Sequence, residues 1–251
     1  MMGVTAILLA AGYATRLYPL TQDRPKALLP LRHGVMLDEV VASVREVPDV
    51  THIILMSNGR FADQFEAWRR ANRHENLLLV NDGTQSAEER LGAIRDIELA
   101  RRHIHPANDL LIVGTDNLFE WSLADFVTQA QAHRPHPSIA LWKAPSKTDA
   151  TAFGVVTRDE QQRITRFVEK SKQPPSDDVA VCVYYFPASM VDSIKTFLSQ
   201  GGNADAPGYF IAWLVERGPV YGVMMPGAWH DIGTVDAYHR VMNAWQSVHS
   251  Q

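Results

Sequence analysis

Four short apolar runs dominate the first half of the chain: Ala6-Ile7-Leu8-Leu9, Ile53-Ile54-Leu55-Met56, Leu77-Leu78-Leu79-Val80 and Leu110-Leu111-Ile112-Val113. Each has strand length and carries no polar residue, the pattern of strands buried on both faces. Helical stretches separate them. Between the second and third, Phe61, Phe65 and Trp68 recur at i, i+4 and i+7 and give one apolar helix face, while Arg69, Arg70 and Arg73 stay solvated. Strand, helix and strand in alternation predict a parallel sheet with right-handed crossovers. The expected fold class is therefore α/β, a Rossmann-like, mostly parallel mixed sheet flanked by helices. Residues 138–144, 153–157, 164–169 and 179–186 read as further strands broken by turn-rich segments, and are expected to form a smaller, β-rich lid. A closing helix is predicted over 235–245.

The chain has 251 residues, 46% of them hydrophobic, enough for one large core, so a single domain over 1–251 is expected. With 24 Lys+Arg against 28 Asp+Glu, it lacks the basic excess that binding a polynucleotide requires, and no nucleic-acid partner is expected. Cys182 is the single cysteine, so an intramolecular disulfide or a cysteine-rich zinc site is excluded. The apolar N-terminus has no charged leader segment, and no run approaches the roughly 20 residues needed to cross a bilayer. A cytoplasmic protein without membrane partners is the expectation. The ten histidines show no metal-ligand spacing.

In open sheets of this kind ligands bind beyond the carboxyl ends of the strands. After the first strand comes Ala10-Ala11-Gly12-Tyr13-Ala14-Thr15-Arg16-Leu17, then Arg24-Pro25-Lys26-Ala27-Leu28-Leu29-Pro30. Small side chains in such a turn let backbone N–H groups approach phosphate oxygens. Arg16 can clamp a polyphosphate through two donors, and Lys26, stiffened by Pro25, adds a compact positive charge. After the fourth strand, Gly114-Thr115-Asp116-Asn117 places a carboxylate at the same edge of the sheet.

Together these segments resemble the signature of the sugar-1-phosphate nucleotidyltransferases, the family that includes glucose-1-phosphate thymidylyltransferases and mannose-1-phosphate guanylyltransferases. The sequence departs from the usual Gly-Gly-x-Gly-Thr-Arg-Leu in having Ala11 and Ala14 where glycines stand, which predicts a stiffer loop. The resemblance implies a nucleotide-diphospho-sugar transferase type of fold. It also implies an enzyme that joins an NTP to a sugar 1-phosphate or similar phosphate, giving an NDP-sugar and pyrophosphate. Arg16 and Lys26 would be the catalytic cations, and Ala10, Ala11 and Gly12 would contact the nucleotide. Gly227-Ala228-Trp229-His230-Asp231-Ile232-Gly233-Thr234 resembles the family's Trp-x-Asp-x-Gly-Thr element. Asp116 and Asp231 would thus be catalytic carboxylates that hold Mg²⁺, a hard cation suited to one or two carboxylates plus phosphate and water.

Two further blocks extend the resemblance. Asn81-Asp82-Gly83-Thr84 with Glu89-Arg90-Leu91-Gly92-Ala93 is similar to a base-recognition element, implying nucleotide contacts from Asp82, Gly83, Thr84, Glu89 and Gly92. Ser86-Ala87-Glu88-Glu89 also reads as a capping box opening a helix. Phe153-Gly154-Val155-Val156 and Phe167-Val168-Glu169-Lys170 resemble elements that hold the sugar phosphate, implying Gly154, Glu169 and Lys170. Residues 1–137 would then be the nucleotide-binding half and 138–251 the sugar-phosphate-binding half. Where the family often has Asn-x-Gly-x-Tyr this chain reads Ala180-Val181-Cys182-Val183-Tyr184, which leaves the second substrate open. The segment Asp205-Ala206-Pro207-Gly208-Tyr209-Phe210 either borders the sugar pocket or is a plain turn.

No protein nucleophile is needed, because a phosphate monoester is already ionised near neutral pH and the obstacle is repulsion between two anions. A glycosyltransferase consuming a nucleotide sugar would also use Asp116 but leaves Arg16 and Lys26 unexplained. A non-catalytic nucleotide sensor would need neither the cations nor the carboxylates. A cytidylyltransferase acting on a non-sugar phosphate keeps the same machinery. The chain ends soon after the Asp231 element, so the short form without a C-terminal β-helix domain is expected. Homo-oligomerisation is compatible with such a family.

Overall fold

The computed structural model describes residues 3–245. In chain order the first half gives β1 (Val4–Leu9), α1 (Met36–Arg45), β2 (Val50–Ser57), α2 (Ala62–Ala71) and β3 (Leu77–Asn81). Then come α3 (Ala93–Arg101), β4 (Asp109–Gly114), β5 (Asn117–Phe119) and α4 (Leu123–Gln131). The second half gives β6 (Ser138–Lys143), β7 (Gly154–Arg158), β8 (Ile164–Glu169), β9 (Asp178–Phe186), α5 (Ser193–Ser199) and α6 (Pro207–Val215). It closes with β10 (Tyr221–Met224), β11 (Trp229–Asp231) and α7 (Val235–Ala244).

The main sheet runs β10-β6-β9-β4-β1-β2-β3. β1 is parallel to both neighbours, β2 and β4, and β2 is parallel to β3, as the four apolar runs predict. β9 enters antiparallel between β4 and β6 and makes the sheet mixed. Successive residues of a strand face opposite sides, so β1 feeds two cores. Ala6 and Leu8 pack with Val40 and Val44 of α1, Phe65 of α2 and Phe126 of α4. Ile7 packs on the other side with Ile94 and Ile97 of α3, Ile194 of α5 and Phe210 of α6. Two covered faces explain why the central run of β1, Ala6 to Leu9, is apolar on both sides.

Of the strands expected in the second half, β6 and β9 join the main sheet. The hairpin β7–β8 hangs from β9 through Gly154↔Ala180 and Val155↔Val179 and forms the smaller β-rich part. A separate two-stranded antiparallel sheet pairs β11 with β5, in the register Trp229↔Phe119, His230↔Leu118 and Asp231↔Asn117. Both strands are three residues long, too short to show alternation in the sequence. The Ser86 capping box does not open a long helix. It yields only a 3-10 turn over Ala87–Glu89, and the α-helix waits for Gly92. Thr234 does cap α7, its hydroxyl accepting from the Ala237 N–H at 3.2 Å. Among the described residues, no helix is long and apolar enough to cross a membrane.

Because β1 to β4 run parallel, Leu9, Asn81 and Gly114 end at one edge of the sheet. The loops that follow them face one crevice.

Candidate functional site

The crevice comprises two cavities. The first is lined by Ala10, Ala11, Gly12, Lys26, Asp82 and Gly92, among others, and the second by Gly154, Glu169, Lys170, Asp231 and their neighbours. Arg16, Asp116, Cys182 and Pro207 line both.

The loop after β1 is held from several sides. Asn58, fully buried after β2, donates its amide N–H to Ala11 O at 3.0 Å and accepts from Phe61 N–H at 3.0 Å. Thr115 donates its hydroxyl to Leu9 O at 2.7 Å. Ala14 takes left-handed backbone angles (φ 47°, ψ 43°), the conformation that costs an L-residue about 1 kcal/mol and suits glycine. Its carbonyl accepts from Thr21 Oγ1 at 2.8 Å. This turn leads into the 3-10 segment Thr15–Leu17 that presents the exposed Arg16 to both cavities. Pro25 likewise opens the 3-10 turn Lys26–Leu28, which aims Lys26 inward.

Lys26 Nζ lies 3.0 Å from Asp116 Oδ2. The other oxygen of Asp116 accepts from Asn117 Nδ2 at 3.0 Å, and Asn117 Oδ1 accepts from Trp229 Nε1 at 2.9 Å. The chain Trp229, Asn117, Asp116 therefore fixes the carboxylate's plane through buried groups. Burial pushes the Asp116 carboxyl up. The charge of Lys26, its hydrogen bond and, more weakly, Arg16 together outweigh that and hold it below its ordinary value. Although protein surrounds it, 44% of the Asp116 side chain still faces the open crevice. Pairing of Asp231 with Asn117 brings the second carboxylate beside the first, and the Ile232 N–H donates to Asp116 O at 3.3 Å. Burial and then the negative charge of Asp116 push the Asp231 carboxyl up, with Lys26, Arg16 and Lys170 opposing.

Two carboxylates that line one cavity and feel each other's charge suit a small divalent cation that keeps water and phosphate oxygens in its other positions. No cluster of three or more His, Cys, Asp or Glu fit for a metal occurs among the described residues. The two carboxylates fit Mg²⁺ shared with a ligand.

Toward β3 the first cavity is bounded by Asp82 and the start of α3. Asp82 Oδ1 accepts from both Thr84 N–H and Thr84 Oγ1 at 2.8 Å, and Thr84 Oγ1 also meets Tyr13 OH at 2.9 Å. Thr84 is thus buried in the tie between two loops. Glu89 turns back to accept from Gln85 N–H at 2.7 Å. Gly83, Thr84 and Glu89 do not line either cavity, whereas Asp82 and Gly92 line the first. Gly92 has φ 91°, and a Cβ there would sit 2.5 Å from Ala204 O. That contact joins the two halves of the chain: Ala93 N–H donates to Asp205 O at 3.3 Å and Ile94 N–H to Ala204 O at 3.0 Å. Arg90 meets Asp205 at 3.2 Å. Arg90, Leu91, Asp96, Asp205 and Pro207 also line this cavity; Arg90 and Leu91 lie inside the element that resembles base recognition, Asp205 and Pro207 in the segment left open by the sequence, and Asp96 is unmarked.

In the second cavity Gly154 and Glu169 are cross-strand partners in the β7–β8 hairpin. Phe167 and Gly208 close in, a Cβ on Gly208 falling 2.0 Å from Glu169 Oε2, so the start of α6 packs directly on that carboxylate. Burial pushes Glu169 up, against the pull of Lys170. Lys170 itself is largely exposed and stands 4.0 Å from Glu169, a loose pair. Ala180, Cys182 and Tyr184 form the floor contributed by β9. Burial pushes the Cys182 thiol up to about 12, so it packs as an inert side chain.

The chain matches the family model described as nucleotidyl transferase over residues 5–248. It is 25% identical to the bifunctional protein GlmU of Methanocaldococcus jannaschii over 91% of its own length and 51% of that protein's. It is 26% identical to the mannose-1-phosphate guanylyltransferase of Mycobacterium tuberculosis, covering 94% of this chain and 63% of the relative. With the glucose-1-phosphate adenylyltransferase of Corynebacterium jeikeium the identity is 27%, over 98% and 68% respectively. The chain thus spans about half to two thirds of the length of these relatives. A Bacillus anthracis structure assigned as a glucose-1-phosphate thymidylyltransferase superposes with a TM-score of 0.80 at 19% identity, covering 96% of this chain and 94% of that one. This likeness establishes the shared fold.

Proposed function

The chain belongs to the nucleotidyl transferase family, and from that premise we propose that it transfers a nucleoside monophosphate from an NTP to a sugar 1-phosphate or similar phosphate. The observation that carries this reading is the sharing of Arg16 and Asp116 between two neighbouring cavities, with Lys26 bonded to Asp116. One cavity receives the NTP and the other the phosphorylated acceptor, so the reacting phosphorus lies where they meet. The relatives' own substrates, sugar 1-phosphates by name, suit that division.

A phosphate oxygen of the acceptor attacks the α-phosphorus. The bond to the oxygen bridging α- and β-phosphates breaks, and pyrophosphate leaves with the electron pair. Arg16 and Lys26 offset the repulsion between the two anions and the charge that builds on the leaving group. Asp116 and Asp231 would hold Mg²⁺, which when bound supplies Lewis-acid neutralisation of phosphate charge. Trp229 and Asn117 act as positioning residues by keeping the Asp116 carboxylate in one orientation. Glu169 accepts from acceptor hydroxyls and Lys170 meets its phosphate. In this reading residues 1–137 carry the nucleotide side and 138–251 the acceptor side, with 204–207 reaching back across.

Pyrophosphate release over the common NTPs and a panel of hexose 1-phosphates and other small phosphates tests the proposal. Release that requires both an NTP and an acceptor is expected. Consumption of an NDP-sugar with no pyrophosphate chemistry overturns it.

A further inference from the structure

Three strand-end loops meet at one buried residue, Thr84. Its carbonyl accepts from the Gly59 and Arg60 N–H groups of the loop after β2, at 2.8 and 3.2 Å. The approach is close: a Cβ on Gly59 would stand 2.9 Å from Thr84 O and 3.0 Å from Gly83 O. Within its own loop, the Thr84 N–H and hydroxyl both donate to Asp82 Oδ1, each at 2.8 Å. From the loop after β1 comes Tyr13, whose OH lies 2.9 Å from Thr84 Oγ1 in a buried contact. A hydroxyl has one hydrogen, and a carboxylate only accepts. The hydrogen of Thr84 therefore goes to Asp82, and Tyr13 donates to Thr84. Burial foremost pushes the Tyr13 phenol above its ordinary value, so it keeps the proton it donates. Its ring packs 6.4 Å from that of Phe61.

Tyr13 lines neither cavity, yet its chain neighbours Gly12 and Ala14 line the first, as does Asp82. The phenol thus anchors from behind a turn whose front faces the cavity. Its bond runs to the residue that fixes the Asp82 carboxylate, so one contact joins two walls. The strands that lead to Asp116 and Asp82, β4 and β3, stand three strand spacings apart, about 14 Å, with β1 and its loop between them. A nucleotide whose phosphates lie at Arg16, Lys26 and Asp116 extends past the Gly12–Ala14 turn toward Asp82 if the transfer reading above holds, and this inference rests on it. Such a ligand touches both walls at once and gains from a span fixed before it binds. Inorganic pyrophosphate, confined to the phosphate end, gains nothing from it.

We propose that Tyr13 is a positioning residue for the nucleotide: by donating to Thr84 it holds the Gly12–Ala14 turn and the Asp82 carboxylate at a fixed span across the first cavity.

Equilibrium binding of ATP, GTP, CTP, UTP, dTTP and inorganic pyrophosphate to the folded full chain, with Mg²⁺ and without acceptor, tests this. Tyr13→Phe keeps the ring and orphans no buried group, because Thr84 retains its bond to Asp82, so the variant folds. In it the triphosphate that binds tightest should weaken about 5- to 10-fold, the range of one buried hydrogen bond, and pyrophosphate less than about 2-fold. Thr84→Val should weaken the triphosphate at least as much, and adding Tyr13→Phe to it should cost less than about 2-fold more, since the contact is already gone. An unchanged triphosphate affinity in Tyr13→Phe, equal weakening of triphosphate and pyrophosphate, or additive losses in the double variant overturn the assignment of Tyr13. Failure of the folded wild type to bind any triphosphate removes the transfer reading together with this one. Acceptor-dependent pyrophosphate release with triphosphate binding insensitive to Tyr13→Phe removes this inference alone.

Discussion

The two cavities that meet at Asp116 are built by opposite means. The first is assembled from loops that follow parallel strands, β1, β3 and β4, whose ends share one edge of the sheet. Its walls are fixed by side chains that donate to backbone carbonyls, Asn58 to Ala11 O and Thr115 to Leu9 O. The second depends on antiparallel register: the β7–β8 hairpin, its attachment to β9 and the pairing of β11 with β5. A one-residue slip would turn Glu169 or Asp231 to the other face. The first cavity thus takes its position from the topology of the parallel strands, and the second from strand register.

The largest expected effect tests what the cavities share. Asp116→Asn should lower kcat at least about 1000-fold, roughly 4 kcal/mol, with the fold intact by circular dichroism. Retention of near-normal turnover would separate the chemistry from this junction.

The next prediction concerns Asp96, the buried carboxyl at the wall of the first cavity. Below about pH 4 Asp96 is neutral in both folded and unfolded chains. As pH rises toward 7 the unfolded chain ionises while the folded chain keeps its proton, so folding stability falls across that window. Asp96→Asn should remove this loss, gaining on the order of 3 kcal/mol over the wild type at pH 8 and almost nothing at pH 4. Denaturant melts at the two pH values measure it, and an equal shift at both would show that the carboxyl is not held up by burial.

Smaller, and aimed at the division itself, is Glu169→Gln. It should raise KM for the phosphorylated acceptor about 10-fold, near 1.4 kcal/mol, and leave NTP affinity unchanged. Equal weakening of both substrates would erase the distinction between the cavities. The smallest effect tests the stiffness of the first loop. Ala14→Gly relieves the left-handed backbone but loosens the unfolded chain, for a net gain near 0.5 kcal/mol in chemical denaturation. A loss would mean that the Ala14 methyl contributes packing at the cavity wall.

The sequence was informative where chemistry and local geometry coincide. Arg16 and Asp116 lie in the loops that follow apolar runs and Lys26 stands beside a proline, so both their residue type and their place beyond the strand ends can be read off the chain. Gly154 and Glu169 were recognisable only through resemblance, since nothing local says that residues fifteen apart in sequence are cross-strand partners. Thr84 and Glu89 illustrate the reverse case. Their hydrogen-bonding groups suit a base on paper, yet in the fold they are spent on Asp82, Tyr13 and Gln85. Nothing in the sequence marks Asp96, a single acidic residue in a helical stretch, and only burial and an unpaired oxygen distinguish it.

By itself the sequence determined that four apolar strands lie parallel and alternate with helices, although the run at the sheet edge, β3, leaves Leu78 exposed. It also set the cations and first carboxylate at their carboxyl ends. The tertiary structure alone decided that Asp231 comes to Asp116 through a three-residue strand pairing, and that the 204–207 segment closes over α3. It also decided which polar groups remain available to a ligand. Those outcomes depend on contacts across more than a hundred residues, and hydrogen-bond competition among such groups is settled only when the chain has packed.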